Sequence, residues 1–121
     1  DRPDQTPAEA EATGATEAVE EEAHRTFVDI VRKELEALAG RVDMLRVDAA
    51  LARMASRDEV ETLRRQLGEQ RDAVRRRIDD LAGASTSAWG ALRDGVDRAL
   101  GELRSAVERA RREVTRSDAP E

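Results

Sequence analysis

Apolar residues in the first half of the chain recur at alternating spacings of three and four, the heptad pattern of a helix that packs along one seam. Valine and leucine hold most of these positions, and the pattern continues unbroken over several heptads. It predicts a long helix from about Glu17 to the middle of the chain. The seam residues are Val28, Val31, Leu35, Leu38, Val42, Leu45, Ala49 and Ala52.

Further apolar residues lie beside this seam. Phe27 and Ile30 widen the apolar stripe on one flank, and Met44, Leu51 and Met54 widen it on the other. A stripe wider than the two seam positions is typical of a helix that packs against two neighbours. The pattern therefore favours a bundle over a simple two-stranded zipper.

A second seam follows in the other half of the chain. Its steps from Val74 to Ile78 and from Leu92 to Val96 are four residues where three are due, which predicts two stutters and a straighter bundle. The positions read as seam are Val60, Leu63, Leu67, Gln70, Val74, Ile78 and Leu81, then Ala88, Leu92, Val96, Leu100, Leu103, Val107, Ala110 and Val114.

Two short segments mark possible helix boundaries. Ser56 and Glu59 form the sequence of a capping box, in which each side chain accepts a hydrogen bond from the other's backbone N–H at a helix start. The segment Gly83–Ser87 either ends one helix and starts another or is a weak point in one long helix. The chain is thus predicted to be all-α, an antiparallel helical hairpin or a three-helix bundle with coiled-coil seams.

The ends of the chain differ from its middle. Residues 1–16 contain Pro3, Pro7, Gly14 and several acids without apolar periodicity, which predicts a disordered acidic arm. Within it, Thr6-Pro7-Ala8-Glu9 also has the pattern of a helix start, so a short frayed helix is an alternative. Residues 17–116 are expected to form the helical domain, and residues 117–121 a frayed tail.

Composition narrows the classes of protein that fit. Charged residues make up 40% of the chain, aromatic residues 2%, and there is no cysteine. This mixture is typical of long helices, and it excludes disulfides, thiolate metal sites and thiol nucleophiles. No apolar run is long enough to span a bilayer. Lys33 is the one lysine beside many arginines, and this bias indicates a GC-rich coding genome and thus a bacterial source.

Candidate sites for chemistry each have a structural explanation. Basic residues concentrate between Arg64 and Arg77, but interleaved acids can pair with them and no aromatic residue is near to stack on bases, so nucleic-acid binding is not expected. His24 is the one histidine, too few for a metal site. Asp79 and Asp80 lie in a charged stretch without an evident pocket. We expect no catalytic, cofactor-binding or metal-binding residue.

Trp89 allows two interpretations. It follows the Gly83–Ser87 segment and shares a helix face with Leu92, so it is either a core anchor or an anchor that holds the last helix on a lipid or polymer surface. In the second interpretation the inserted residues are Trp89, Leu92 and Val96. The acids on the opposite face do not form the cationic surface that seeks anionic membranes.

About a quarter of the chain, from Leu81 to Ala110, resembles the C-terminal signature of small bacterial coiled-coil stress proteins. In that signature a Ser/Ala hinge leads into Ala-Trp-x-x-Leu-x-x-Gly-x-x-x-Ala and a later Leu-x-x-Ala turn. The acidic arm and the scarcity of lysine depart from the family. The resemblance implies a cytoplasmic, helical, stress-associated protein without enzymatic activity. The matching positions are Ala88, Trp89, Leu92, Gly95, Ala99, Leu103 and Ala106.

These patterns together predict a non-enzymatic protein that self-associates or serves as a helical subunit of a larger assembly. The alternative is a phasin-like coat, which the chain also resembles, bound to a lipid or polyester granule through its last helix. The residues expected to carry association along the seams are Val31, Leu35, Leu38, Val42, Leu45, Leu63, Leu67, Ile78, Leu92, Leu100 and Leu103.

Replacing a seam leucine by aspartate tests this seam assignment. Leu38→Asp and Leu63→Asp are each expected to abolish helicity, because each would bury a charge between helices. Circular dichroism reports the result directly. Variants that are both as helical and as heat-stable as the parent would show that the seam is wrongly assigned.

Overall fold

Three α-helices make up the fold, as seen in a computed structural model that describes the backbone of residues 7–52 and 56–115 and the side chains of residues 17–51 and 56–115. They are α1 (Pro7–Ala52), α2 (Arg57–Ala82) and α3 (Thr86–Thr115), and each packs against the other two. The predicted all-α class is confirmed, and of the two architectures the protein has the three-helix bundle. No strand occurs in these residues.

Helix α1 begins at Pro7, ten residues before the boundary expected at Glu17. Proline suits the first helical position, because its fixed φ is helical and its missing N–H would have had no partner there. The alternative helix start at Thr6-Pro7-Ala8-Glu9 therefore agrees with the observed boundary, whereas a disordered arm reaching to residue 16 does not. Residues 1–6 and the expected frayed tail at 117–121 lie outside the described residues.

The start of α2 has half of the predicted capping box. Ser56 is extended, with φ −66° and ψ 156°, and its hydroxyl accepts a hydrogen bond from the Glu59 N–H at 3.1 Å. Its carbonyl accepts from the Val60 N–H. Within the described residues, the return bond from the Ser56 N–H to the Glu59 carboxylate is not formed. One side-chain cap of this kind contributes about 1 kcal/mol.

The chain turns between α2 and α3 at Gly83–Ser85, so the alternative of two separate helices is the observed one. The Gly83 N–H donates to the Asp79 carbonyl at 3.2 Å, and the Ala84 N–H donates to the Leu81 carbonyl at 3.1 Å. The Ser85 carbonyl then accepts from the Ala88 N–H in the first turn of α3. This short connection makes α3 antiparallel to α2.

Ion pairs at the helix edges show the register of the bundle. Between α1 and α2, Arg32 contacts Asp79 at 2.9 Å and Arg46 contacts Glu61 at 2.5 Å. The residue numbers run in opposite directions, so these helices are antiparallel. Between α1 and α3, Arg41 contacts Glu108 at 3.2 Å and Asp48 contacts Arg111 at 3.9 Å, so the residue numbers rise together and these two helices run parallel.

The seam of α1 is buried as its spacing predicts, and it faces both other helices. The side chains of Val31, Leu38 and Val42 are each 3% exposed, and Leu45 is completely buried. Ala52 and Met54 lie outside the described side chains. The buried residues of α1 are Val28, Val31, Leu35, Leu38, Val42, Leu45 and Ala49.

The seam of α2 and α3 contains most of the predicted residues, but it departs from the prediction at Leu63, Gln70, Ala88 and Leu92. Counting back by three and four from the buried apolar positions leads to Arg64 and Arg71 in α2 and to Arg93 in α3. With these arginines included the heptad spacing is regular, so the two predicted stutters are wrong. The buried residues are Val60, Leu67, Val74, Ile78 and Leu81 in α2, and Trp89, Val96, Leu100, Leu103, Val107, Ala110 and Val114 in α3.

Leu63 and Leu92, which were assigned to the seam, lie one position away from it. Leu63 is partly buried and packs against the edge of the core. Leu92 is 36% exposed. Neighbouring residues of a helix point about 100° apart. Because the regular heptad position falls on Arg93, the adjacent Leu92 points towards solvent. Because Leu63 is only partly buried, Leu63→Asp should destabilise the protein less than Leu38→Asp.

Arg64 and Arg71 fill seam positions with their aliphatic stems and place their guanidinium groups at the edge of the core. Arg64 contacts Asp43 of α1 at 3.1 Å and Glu61 at 3.2 Å, with its side chain 20% exposed. Arg71 contacts Asp72 at 3.2 Å, with its side chain 28% exposed. The Nε of Arg64 is buried and has no hydrogen-bond partner among the described residues, so the seam carries an unsatisfied donor there.

A leucine at a seam arginine should stabilise the bundle. Arg71→Leu restores the apolar heptad and is expected to raise the free energy of unfolding by about 1–2 kcal/mol, because an apolar side chain replaces a partly buried guanidinium while Asp72 stays in contact with solvent and near Arg75. The matched control is Arg75→Leu, whose side chain is 55% exposed outside the seam and whose stability should stay within about 0.5 kcal/mol. Urea unfolding followed by circular dichroism measures both, and equal effects would contradict the seam assignment.

Candidate interaction surface

Four side chains cluster where the start of α3 meets α1. His24 stacks on Trp89 with ring centroids 3.8 Å apart, and Phe27 meets the Trp89 ring edge-on at 5.5 Å. The guanidinium carbon of Arg93 lies 4.7 Å from the centroid of the Phe27 ring. Such aromatic and cation–π contacts add to the area that the rings bury. The cluster covers the core of the bundle at the level where α3 begins.

Two of the three residues considered as surface anchors are buried in the bundle. Trp89 is 8% exposed and Val96 is completely buried, so both belong to the core of the bundle. Of the proposed anchor residues only Leu92 reaches the surface. A coat protein that inserts Trp89 and Val96 into a granule would first have to open the contacts with α1.

The polar residues considered as candidate sites also form contacts within the bundle. Asp79 pairs with Arg32, and Arg75 lies 3.9 Å from Asp72 in the basic stretch of α2. His24 stacks on the Trp89 ring rather than lying beside other side chains that could bind a metal ion. In residues 17–51 and 56–115, no three His, Cys, Asp or Glu side chains come together in a way that could hold a metal ion.

The Arg46–Glu61 ion pair between α1 and α2 shifts the pKa of both of its groups. The hydrogen bond from Arg46 lowers the pKa of the Glu61 carboxyl, and the same contact raises the pKa of Arg46. Because the carboxylate is the form that Arg46 binds, the pair contributes above the ordinary pKa of glutamate and is lost on acidification. Both groups are solvent-exposed, so the pair adds little stability and mainly sets the register of α1 and α2.

The largest departure from the sequence prediction is an apolar stripe on the outside of α1. Ile30, Met44 and Leu51, expected to widen the core-facing stripe, are 56%, 50% and 80% exposed. Val19 is 67% exposed and Val47 is 44% exposed on the same face. These residues fall on a second regular series of three-and-four spacings, here called the outer stripe: Val19, Ala23, Thr26, Ile30, Lys33, Ala37, Gly40, Met44, Val47 and Leu51.

The outer stripe and the seam lie on nearly opposite sides of α1. The two series are offset by one or two residues at each step, which on a helix of about 100° per residue separates their centres by roughly 150°. From Val19 to Leu51 the outer stripe runs for roughly 48 Å. Helix α1 thus has two apolar faces, of which only one is covered by α2 and α3.

The middle of the outer stripe is narrow. Ala37 and Gly40 are small, and a Cβ placed on Gly40 would find no other atom within 4 Å. Packing within the bundle therefore does not require a glycine at this position, although glycine in a helix interior is less favourable than alanine by about 1 kcal/mol. The glycine instead leaves room for a second backbone to approach α1 from outside.

Carboxylates border the outer stripe. Glu22, Asp29, Glu36 and Asp43 follow one edge at intervals of seven residues, and all four are exposed. The opposite edge carries Glu20, Phe27, Glu34, Arg41 and Asp48, of which Glu34, Arg41 and Asp48 each form an ion pair with a residue of α3. The second series is visible in the sequence. The prediction nevertheless assigned its large apolar residues to the flanks of the seam, because the seam also has regular heptad spacing.

Comparisons with protein-family models, with curated proteins and with solved structures give no match for this chain. None of the helices, within the described residues, is both long enough and apolar enough to cross a membrane. Evidence about function therefore comes from the outer stripe and its borders.

The fluorescence of Trp89 tests the closed aromatic cluster. Because Trp89 is the one tryptophan and there is no tyrosine, its emission reports a single position. We expect emission at short wavelength in the folded protein, a red shift in His24→Ala, and none in His24→Phe, which keeps an aromatic ring against the indole. Neutral lipid vesicles or polyester granules should leave the spectrum unchanged. A red emission that turns blue with such a surface would contradict the buried position.

Proposed function

We propose that this protein is a non-enzymatic interaction protein that associates with a helical protein partner through the outer stripe of α1. The observation that carries the proposal is the outer stripe of α1, which is apolar or small except at Thr26 and Lys33, exposed along roughly 48 Å and regular in its heptad spacing. An exposed apolar surface of this extent marks an association site in soluble proteins. The regular spacing matches a partner that is itself a helix, in a coiled-coil type of packing.

The rest of the bundle supports this role by holding α1 rigid. The seam packs against two helices at once, so the outer stripe is presented on a helix that is already formed. A partner then binds without having to order α1, which lowers the entropic cost of association. The stress-related role implied by the sequence resemblance stays a prediction within this proposal.

A coat on a lipid or polyester surface is the competing function. The residues first considered for it on α3 are largely buried, so a coat would have to use the outer stripe instead. Carboxylates along both edges of that stripe disfavour anionic surfaces. A coat thus fits only a neutral surface.

Substitutions in the outer stripe test the proposal. Ile30→Ser/Met44→Ser should keep helicity and a stability within about 1 kcal/mol of the parent, because both side chains are at least half exposed. Sedimentation of the purified chain and of the chain in extract of its host should show, in at least one of these two settings, the parent in a larger species that this variant loses.

The matched control is Leu92→Ser, which removes an exposed leucine from α3 rather than from the outer stripe. This variant should sediment as the parent does. If Ile30→Ser/Met44→Ser also sediments as the parent in both settings, the outer stripe is not an association surface.

A further inference from the structure

The charges around the outer stripe indicate which kind of partner it takes. Three of the basic residues of α1 are held within the bundle, since Arg32 pairs with Asp79, Arg46 with Glu61 and Arg41 with Glu108. Within the described residues, Glu22, Asp29 and Glu36 form no ion pair. Beside the outer stripe these three acids thus outnumber Lys33, the one base within the stripe, while the three paired arginines are turned to α2 and α3.

The acidic edge is regular, and three of its four carboxylates form no ion pair within the described residues, whereas Asp43 is held by Arg64 of α2. Glu22, Asp29, Glu36 and Asp43 stand seven residues apart, which places a carboxylate about every 10.5 Å along one side of the outer stripe. In helix pairs, residues at these flanking positions decide which partner is accepted and in which orientation. A row of like charges at such positions therefore favours partners of the opposite charge.

A second copy of this chain does not complement that edge. In an antiparallel pair of outer stripes the same edges meet, so the acidic row would face the acidic row. In a parallel pair the acidic row would face the other edge, where Glu34, Arg41 and Asp48 are already paired with residues of α3 and the described residues offer no free base. Like charges thus disfavour the antiparallel pair, and the parallel pair lacks complementary charge.

We infer that the partner is an amphipathic helix of another protein, with apolar residues at three-and-four spacing and Lys or Arg along its flanks. This inference rests on the proposed function, because it names the partner of the same surface. Basic flanks would face the carboxylates at intervals of seven residues. Ala37 and Gly40 would let the two backbones come closest at the middle of the contact.

Synthetic helical peptides provide the probe. One peptide of about 28 residues has a leucine and alanine seam at three-and-four spacing with lysine flanks, a second has the same seam with glutamate flanks, and a third is the lysine peptide with its order shuffled. Fluorescence anisotropy with labelled peptides, at low and at high salt, gives the dissociation constants. The lysine-flanked peptide should bind at least ten-fold more tightly than either of the others, and less tightly at high salt.

Variants of the protein show whether the outer stripe and its acidic edge both matter. Ile30→Ser/Met44→Ser should weaken binding of the lysine-flanked peptide at least ten-fold, whereas Leu92→Ser should not. Asp29→Lys/Glu36→Lys should reverse the preference towards the glutamate-flanked peptide. The control for net charge is Asp94→Lys/Asp97→Lys, a reversal at exposed positions of α3 that should leave the order of affinities unchanged.

Each remaining outcome overturns a defined part of the argument. Equal binding of the ordered and shuffled lysine peptides would reduce the contact to general charge attraction and overturn the inference. Self-association of the parent that is lost in Ile30→Ser/Met44→Ser, without discrimination between peptides, would make a second copy the partner and leave the proposed function standing. Binding to neutral vesicles through the outer stripe, with no peptide bound, would overturn both.

Discussion

The burial of one face of α1 against two helices at once is the contact on which the rest of the structure depends. With an aromatic fraction of 2% and no cysteine, the protein has no large aromatic core and no covalent link between its helices. Its stability comes from valine, leucine and alanine stacked in heptad layers, such as Leu38 and Leu45 of α1. The cap at Ser56 and the turn at Gly83–Ser85 then fix where the chain reverses, so that α2 and α3 both reach the same seam.

Arginine at three seam positions is the feature that distinguishes this core from an ordinary apolar one. Arg64 and Arg71 bring charge to the edge of the seam between α1 and α2, and Arg93 lies over the rings at the level of Trp89. A polar residue at a heptad core position lowers stability but specifies register, because a shifted alignment would bury the charge without its partner. The pairing of Arg64 with Asp43 is an interaction of this kind, since it joins two helices at one register.

The distribution of charge on α1 connects the fold to the proposed function. Arg32 and Arg46 face α2 and are neutralised there, which leaves the outward side with Asp29 and Glu36 beside exposed apolar residues. The same ion pairs that set the register of the bundle therefore also determine the sign of the surface that it offers. Apolar area gives such a surface affinity, whereas the sign of its border selects among partners.

The sequence by itself determined the helical content, the seam of α1 and the boundary at Ser56, because large apolar residues at regular spacing and a side-chain cap act locally along one helix. It did not determine which residue at the start of α3 is buried, since Trp89 and Leu92 are both large and apolar and lie within one turn of the helix. In the bundle Trp89 is buried against His24 of α1, Leu92 is 36% exposed, and Arg93 covers the rings of Phe27 and Trp89 from outside. Nor could it show that Ile30 and Met44 are exposed, because burial of a second apolar face depends on how many helices surround α1. Only the tertiary structure decided that, by placing two helices on one side and none of the described residues on the other.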